Sequence, residues 1–282
     1  MIIVVILLSV TSLISCSVDP TDGYLVLHMI DVGQGDCFLL TTPLGQNILI
    51  DAGDPAQSDR IAGYLNRHRI KGIDHLIVSH PHGDHIGGMP ELLDRFPIQQ
   101  IYVPAVIHHT SLYEALLTKT DYHQIPLYAL ANLTTIWEEP DIKIQILTTG
   151  KDYGEHLNNW SLVVRVIHGA QSFLFTGDME MTAEADLLAA FPSALLKSTV
   201  LKAGHHGSNT STSENFLAAV SPQVVLISCG KDNFHGHPHQ DVLDRLEKKS
   251  IWVYRTDLQG TVVLYSDGLS LFSYQAPANL IQ

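Results

Sequence analysis

Cysteine is scarce in this 282-residue chain: Cys16, Cys37 and Cys229 are the three, and no two of them stand in a C-x-x-C spacing. That argues against a disulfide-stapled scaffold and against a cysteine-built zinc site. Cys37 and Cys229 fall in apolar runs, "DCFLL" and "VVLISCG", and are expected in the core. Basic residues are the second shortage. Lys and Arg number 16 against 29 Asp and Glu, a formal net charge of −13, which disfavours unassisted binding to nucleic acid, because that affinity comes largely from cations on phosphates. Only local clusters such as Arg67-His68-Arg69 and Lys248-Lys249 offer basic contacts. There is no G-x-S-x-G elbow and no Cys/His nucleophile signature, so the chain shows no sign of a protein nucleophile. Repeats, low-complexity segments and charged tails are also missing.

Past residue 16 no apolar run approaches the roughly 20 residues of a spanning helix. The opening stretch, "MIIVVILLSVTSLISCS", is itself shorter than that and turns from apolar to small residues. It reads as a signal peptide. Its end, Leu13-Ile14-Ser15-Cys16, resembles a bacterial lipobox, although residues 1–15 hold no Lys or Arg. The expectation is a signal peptide over 1–16, lipidation of Cys16, a tether over 17–23 and one domain over 24–275. The protein would then be exported and lipid-anchored to the cell membrane or outer membrane.

Hydrophobic residues make up 45% of the chain and charged residues 16%, enough apolar material for one sizeable core or two small ones. Strand-like runs such as "YLVLHM", "CFLLTT" and "NILIDAG" lead, and helices and strands then alternate through "SDRIAGYLNRHRI", "IDHLIVSH" and a helix expected from Met89 to Phe96. The second half repeats the layout and closes with a hairpin around Ser266-Asp267-Gly268. Strands first, then alternation, in each half predicts two mixed sheets packed face to face with helices outside.

Histidine is plentiful, at 16 residues, and several are clustered. "SHPHGDHIGG", residues 79–88, places His80, His82, Asp84 and His85 within six positions. Imidazole and carboxylate are the usual nitrogen and oxygen ligands of zinc and similar divalent metals. Gly83, Gly87 and Gly88 let the backbone turn so that such side chains converge. A polar surface loop is the plain alternative, but an H-x-H-x-D-H pattern favours a metal site.

With those residues in place, the chain resembles the metallo-β-lactamase superfamily, and more narrowly the extracellular hydrolase domain of the ComEC/Rec2 competence proteins. The segments that carry the resemblance are "HMIDVGQGDCFLL", "NILIDAG", "SHPHGDHIGG", "NNWSLVVRVIHGAQSFLFTGDME", "LKAGHHGSNTS", "GHPH" and "YRTDLQGTVVL", in the family's order from His28 to Leu264. The resemblance implies an α/β fold, the αββα sandwich of two mixed β-sheets. It implies two divalent metal ions, Zn²⁺ or Mn²⁺. His80 and His82 would hold the first, Asp84 and His85 the second, and Asp178 would bridge them. One residue of "GHHGS" completes the second site, with His205 favoured and His206 the alternative. By the same resemblance Asp84, His206 and His237 carry catalytic roles. His237 would give a proton to the leaving group or bind a phosphate oxygen. Asn159, in "NNWS" where the usual third histidine of the first site falls, is a weak ligand or a substrate contact. Ser208 would bond a substrate oxygen. Asp36 and Asp51 line the floor, and Asp51 is favoured as the acceptor that fixes an imidazole tautomer. His235 and His239 are expected at the surface or at a helix cap.

The ComEC proteins also carry a polytopic channel, so this chain is expected to be a stand-alone relative rather than an uptake channel. The leading functional expectation is a phosphodiesterase that uses water activated by its metals. Its substrate is nuclease-like, with single-stranded DNA as a candidate, or a phosphorylcholine or teichoic-type ester. Hydrolysis of lactam, lactone or thioester substrates is the alternative, and a non-enzymatic metal-binding surface lipoprotein is the third reading. Expected partners are the phosphodiester and, through the lipid anchor, the membrane. No protein partner is inferred.

Overall fold

Runs rich in Val, Ile, Leu and Phe form strands wherever Gly, Pro and Asp interrupt them. In the computed structural model, which describes residues 23–280, the first half yields β1 (Leu25–Met29), β2 (Phe38–Thr41), β3 (Asn47–Ile50), β4 (Ile73–Ile77), β5 (Ile98–Pro104) and β6 (Leu127–Leu130). The second half yields β7 (Thr134–Glu138), β8 (Ile142–Leu147), β9 (Val163–His168), β10 (Gln171–Phe175), β11 (Val200–Lys202), β12 (Val224–Ile227) and β13 (Trp252–Arg255). The chain then returns to the first sheet as the hairpin β14 (Val262–Ser266) and β15 (Leu271–Phe272). Residues 1–22, and with them the expected lipidation of Cys16, lie outside the described residues.

The first sheet has the order β15-β14-β1-β2-β3-β4-β5-β6 and the second β13-β12-β11-β10-β9-β8-β7. Both are mixed: β3 to β6 and β10 to β13 run parallel, and the remaining neighbours run antiparallel. Between the sheets lies a core that includes Phe38, Ile48, Ile50, Ile77, Val164, Phe173 and Phe175. The outer face of the first sheet is covered by α1 (Ser58–Arg67), the single turn α2 (Gly83–Ile86), α3 (Met89–Arg95) and α4 (Ser111–Tyr122), through Ile61, Leu65, Met89, Leu92 and Leu116. The outer face of the second is covered by α5 (Met181–Ala190), α6 (Ser193–Leu196), α7 (Glu214–Val220) and α8 (Gln240–Lys248). A last turn, α9 (Thr256–Gln259), leads into β14. This is the αββα sandwich expected from the sequence.

Burial on both faces explains why β1, β11 and β12 are apolar almost throughout instead of alternating. Cys37 and Cys229 are buried free thiols, as their apolar surroundings predict. In open α/β sheets, ligands gather outside the carboxyl ends of parallel strands. Here β3, β4, β10 and β11 all end on one edge of the sandwich, and each is followed there by His or Asp.

Candidate metal centre

The loop after β4 passes through residues 79–82 into α2, so His80, His82, Asp84 and His85 leave one short arc. The loop between β1 and β2 packs against it. The Asp36 amide donates to the Asp84 carbonyl at 3.2 Å, and a Cβ on Gly35 would run into that same oxygen. Gly35, at φ 128°, therefore allows the two loops to touch. Asp178 follows β10, and His205 and His206 follow β11.

Four of these residues form one group. His85 Nε2 lies 3.2 Å from Asp178 Oδ2 and 3.8 Å from Asp84 Oδ2. His206 Nε2 lies 3.2 Å from Asp84 Oδ2 and 3.3 Å from Asp178 Oδ2. The far side of each ring assigns its proton. His85 Nδ1 faces Asp51 Oδ2 at 2.8 Å and His206 Nδ1 faces the Ser228 carbonyl at 2.9 Å. Each Nδ1 then donates, which leaves each Nε2, on the carboxylate side, as the nitrogen that a metal ion or a second proton takes. His85 Nε2 is buried with no hydrogen-bond partner. Imidazole nitrogens facing carboxylates are a donor set that a divalent cation satisfies. A second group is smaller: His80 Nε2 and His82 Nδ1 stand 2.9 Å apart, and His80 Nε2 is 4.0 Å from Asp178 Oδ2.

Burial alone would neutralise these side chains, and their mutual charges decide otherwise. Burial opposes charge on His85, but Asp178, Asp84 and Asp51 outweigh it and raise its pKa well above the ordinary range. His206 is raised in the same way, with Asp178 and Asp36 opposing its burial. Burial first, then His85, pushes His80 well below that range. Burial works to raise Asp178, but His206, His85 and Lys202 hold it well below the usual carboxylate range. Protons and metal ions thus compete for the same nitrogens, and affinity for a cation falls as pH falls.

Lys202 was not expected at all. It is buried, and its Nζ donates to Asp36 Oδ2 at 2.7 Å, to Asp178 Oδ1 at 3.2 Å and to the Gly177 carbonyl. The pairing leaves only Asp178 Oδ2 to face imidazole nitrogens of His80, His85, His205 and His206, all within 4.0 Å. One signal was available: Lys202 is the lone charge in the apolar stretch "STVLKAG". Asp36 shares a cluster of possible ligand atoms with His85, Asp178 and His206. Its contacts, however, are Lys202 and the Nδ1 sides of His206 and His85, 3.3 and 3.9 Å away, so it supports the group from behind. Asp51 faces the Nδ1 side of His85 and accepts from the Ser79 amide and hydroxyl, at 2.8 and 2.6 Å.

The structure brings some of the expected residues together and sets others apart. His206, not the favoured His205, joins the group around Asp84 and Asp178; His205 stands at the cleft wall, its Nδ1 3.3 Å from Glu180. The reason is local backbone. Gly204–Gly207 is a turn, not a strand end, and both histidines take left-handed φ values of 47° and 55°. Non-glycine residues in that region are strained, as functional sites often are. Asn159 is buried and accepts from the Glu180 amide at 3.1 Å, whereas Asn158 lines the cleft beside His205. In the 3₁₀ turn Leu157–Trp160 successive side chains point about 120° apart, so neighbours face different surroundings. Ser208 is also turned away: its hydroxyl pairs with Thr210 at 3.0 Å.

The cleft above these groups encloses about 570 Å³ and is lined by His82, Asp84, Asn158, His205, His206 and His237 among others. His237 is held at its edge, with Gln34 Nε2 3.5 Å from its Nδ1. Burial and the neighbouring His206, His205, His239 and His235 lower its pKa to about 3, so it is neutral at physiological pH.

ComE operon protein 3 of Bacillus subtilis (strain 168) is 31% identical over 269 residues, which cover 89% of this chain and 34% of that protein. Recombination protein 2 of Haemophilus influenzae is 34% identical over 239 residues, 83% of this chain and 28% of its own length. The chain thus spans about a third of the length of these curated relatives. Among solved structures, the crystal structure of CmlA, a diiron beta-hydroxylase from Streptomyces venezuelae, superposes with a TM-score of 0.54 at 15% identity, over 86% of this chain and 54% of that one. That match shows the fold alone, since one fold hosts many chemistries. Residues 30–231 match the family model of the metallo-beta-lactamase superfamily. The interval holds the carboxylates and imidazoles that converge on Asp178, and the chain belongs to that superfamily.

Proposed function

We propose that the chain is a metal-dependent hydrolase of phosphodiesters. The observation that carries the reading is Asp178: Lys202 takes one of its carboxylate oxygens, and the other faces imidazoles from both groups. His80, His82 and Asp178 would hold one ion, and Asp84, His85, His206 and Asp178 a second. Nitrogen and oxygen donors without thiolate suit Zn²⁺ or Mn²⁺. When bound, such a pair lowers the pKa of water to about 7 and neutralises charge on phosphoryl oxygens.

The protein's own groups then have defined tasks. Asp51 and the Ser228 carbonyl hold the protons of His85 and His206 on Nδ1 and keep each Nε2 free. Lys202 fixes the rotation of Asp178. His237, neutral in its surroundings, offers a ring N–H to a substrate oxygen in preference to delivering a proton. Asn158 faces the cleft, where its amide meets the same substrate. Relatives named for recombination and competence favour a nucleic acid strand over a small ester.

The test is one panel at physiological salt with Mn²⁺ or Zn²⁺: bis-p-nitrophenyl phosphate, a phosphorylcholine ester, single- and double-stranded DNA, nitrocefin and a homoserine lactone. Phosphodiesters should be hydrolysed at least tenfold faster than nitrocefin or the lactone. The opposite preference would replace this reading with hydrolysis of carboxyl derivatives. Export and membrane attachment through Cys16 belong to the same proposal, on the apolar run ending in "LISC". Radioactive fatty acid should label the wild type and not Cys16→Ala, and equal labelling of the two rejects the anchor.

A further inference from the structure

Phe234 is 91% exposed, the most exposed large apolar side chain among the described residues. Isolated exposed apolar residues are ordinary, but this one lines the cleft, together with His235 and His237. Its ring packs against His235 with centroids 3.8 Å apart and planes 36° from parallel. His235 in turn stacks on His237 at 5.3 Å and 17°. His237 then meets His205 edge-on at 5.4 Å. A row of rings thus runs from the rim of the cleft to His205 on its wall. His235 is exposed, as its sequence predicts, and it also lines the cleft.

The loop that carries the row is pinned from within. Asn233 Nδ2 donates to the Gly230 and His237 carbonyls at 2.8 and 2.6 Å, and Asn233 Oδ1 accepts from the His237 amide at 2.9 Å. Phe234 is exposed on a braced turn, so its face is ready before any ligand arrives. The residues lining the cleft include neither Lys nor Arg. A strand bound there gains little from ion pairs to its phosphates outside the metal groups and needs another source of affinity.

We propose that Phe234, backed by His235 and His237, is a stacking platform for a nucleobase adjoining the scissile phosphate. The inference rests on the phosphodiesterase reading and narrows it to single-stranded nucleic acid. Aromatic faces hold successive bases of a single strand without regard to sequence, and a duplex does not offer its bases in this way. The geometry also separates a base from a quaternary ammonium group. A cation cage needs rings set around a common centre, whereas these rings follow one another in a row, Phe234 tilted 36° on His235 and His235 stacked at 17° on His237.

The test uses the full chain as wild type, Phe234→Ala and Phe234→Trp. Substrates are an oligothymidylate, the same strand with abasic sites, a phosphorylcholine ester and bis-p-nitrophenyl phosphate. Phe234→Ala should raise KM for oligothymidylate about tenfold, with a smaller change in kcat. Phe234→Trp should restore it. The abasic strand should bind wild type about as weakly as Phe234→Ala binds the intact one. In a chelator, which prevents turnover, oligothymidylate should quench the extra indole fluorescence that Phe234→Trp has over wild type, and the abasic strand should not. An unchanged KM, an equal loss on the abasic strand, or a larger loss on the phosphorylcholine ester overturns the proposal. Wild type that cleaves bis-p-nitrophenyl phosphate but no strand also overturns it, and leaves the phosphodiesterase reading standing. Wild type inactive on every phosphodiester removes that reading, and the quenching measurement still decides whether Phe234 stacks a base.

Discussion

Asp84→Ala is expected to lower phosphodiesterase kcat by about a thousandfold and to remove one of two bound metal ions, while the chain stays folded. The Asp84 side chain is one-third exposed and its Oδ2 sits between His206 and His85, so its contacts point into the cleft and not into the core. The contact that holds the loops together comes from its backbone: the carbonyl accepts from the Asp36 amide, and alanine keeps that bond. Polarising a phosphoryl oxygen and activating water are worth several kcal/mol of barrier, and each 1.36 kcal/mol is tenfold in rate. Loss of about 4 kcal/mol corresponds to the thousandfold stated. Metal analysis, kcat and a thermal melt of the same preparation check it together. Full turnover would remove Asp84 from the site, and a collapsed melt would mean that the carboxylate serves the fold. Stripping the wild type with a chelator should reproduce the loss, and added Mn²⁺ or Zn²⁺ should reverse it.

The expectation about Asp84 was readable from sequence because H-x-H-x-D-H concentrates chemistry in a span shorter than any local uncertainty in structure. Core strands such as β1 and β12 were readable for a related reason: buried on both faces, they are largely apolar runs that turn residues bracket clearly. Two edge strands were not. Leu127–Leu130 and Thr134–Glu138 mix exposed and half-buried positions and carry no clean alternation. Sequence leaves His205 and His206 open as alternatives, because which of two adjacent side chains turns inward depends on a backbone that is left-handed at both residues. Which of Asn158 and Asn159 faces the cleft is equally hidden, since a 3₁₀ turn sends neighbours in different directions and sequence does not set its phase. Lys202 shows the deeper limit. A lysine in an apolar strand announces itself, but its partners Asp36 and Asp178 lie on other loops, and only the packing of both sheets brings them together.

Lys202→Met should therefore destabilise the metal-free chain by about 3–5 kcal/mol, the usual loss when one partner of a buried ion pair is removed. Methionine matches the length of the lysine stem, so packing changes little and the effect isolates the charge. All three donors of the ammonium are used, on Asp36, Asp178 and the Gly177 carbonyl. Burial opposes the charge on Lys202, yet Asp36 and Asp178 raise its pKa above the ordinary lysine range, so it is cationic at physiological pH. Without it, two buried carboxylates are left to the protons of His85 and His206. A divalent ion at Asp178 supplies part of the missing charge. The loss should accordingly shrink when Mn²⁺ or Zn²⁺ is added, more than wild type gains from the same ion. Asp36→Asn placed on top of Lys202→Met should recover stability, because the amide needs no cation. Urea unfolding in chelator and in metal reads all of these. An unaltered midpoint for Lys202→Met in chelator would mean that the ammonium merely fills space, since well-packed apolar replacements of buried ion pairs are often neutral when no charge is stranded. A deficit that metal leaves untouched would instead place the stranded charge on Asp36 alone and free Asp178 of any dependence on Lys202.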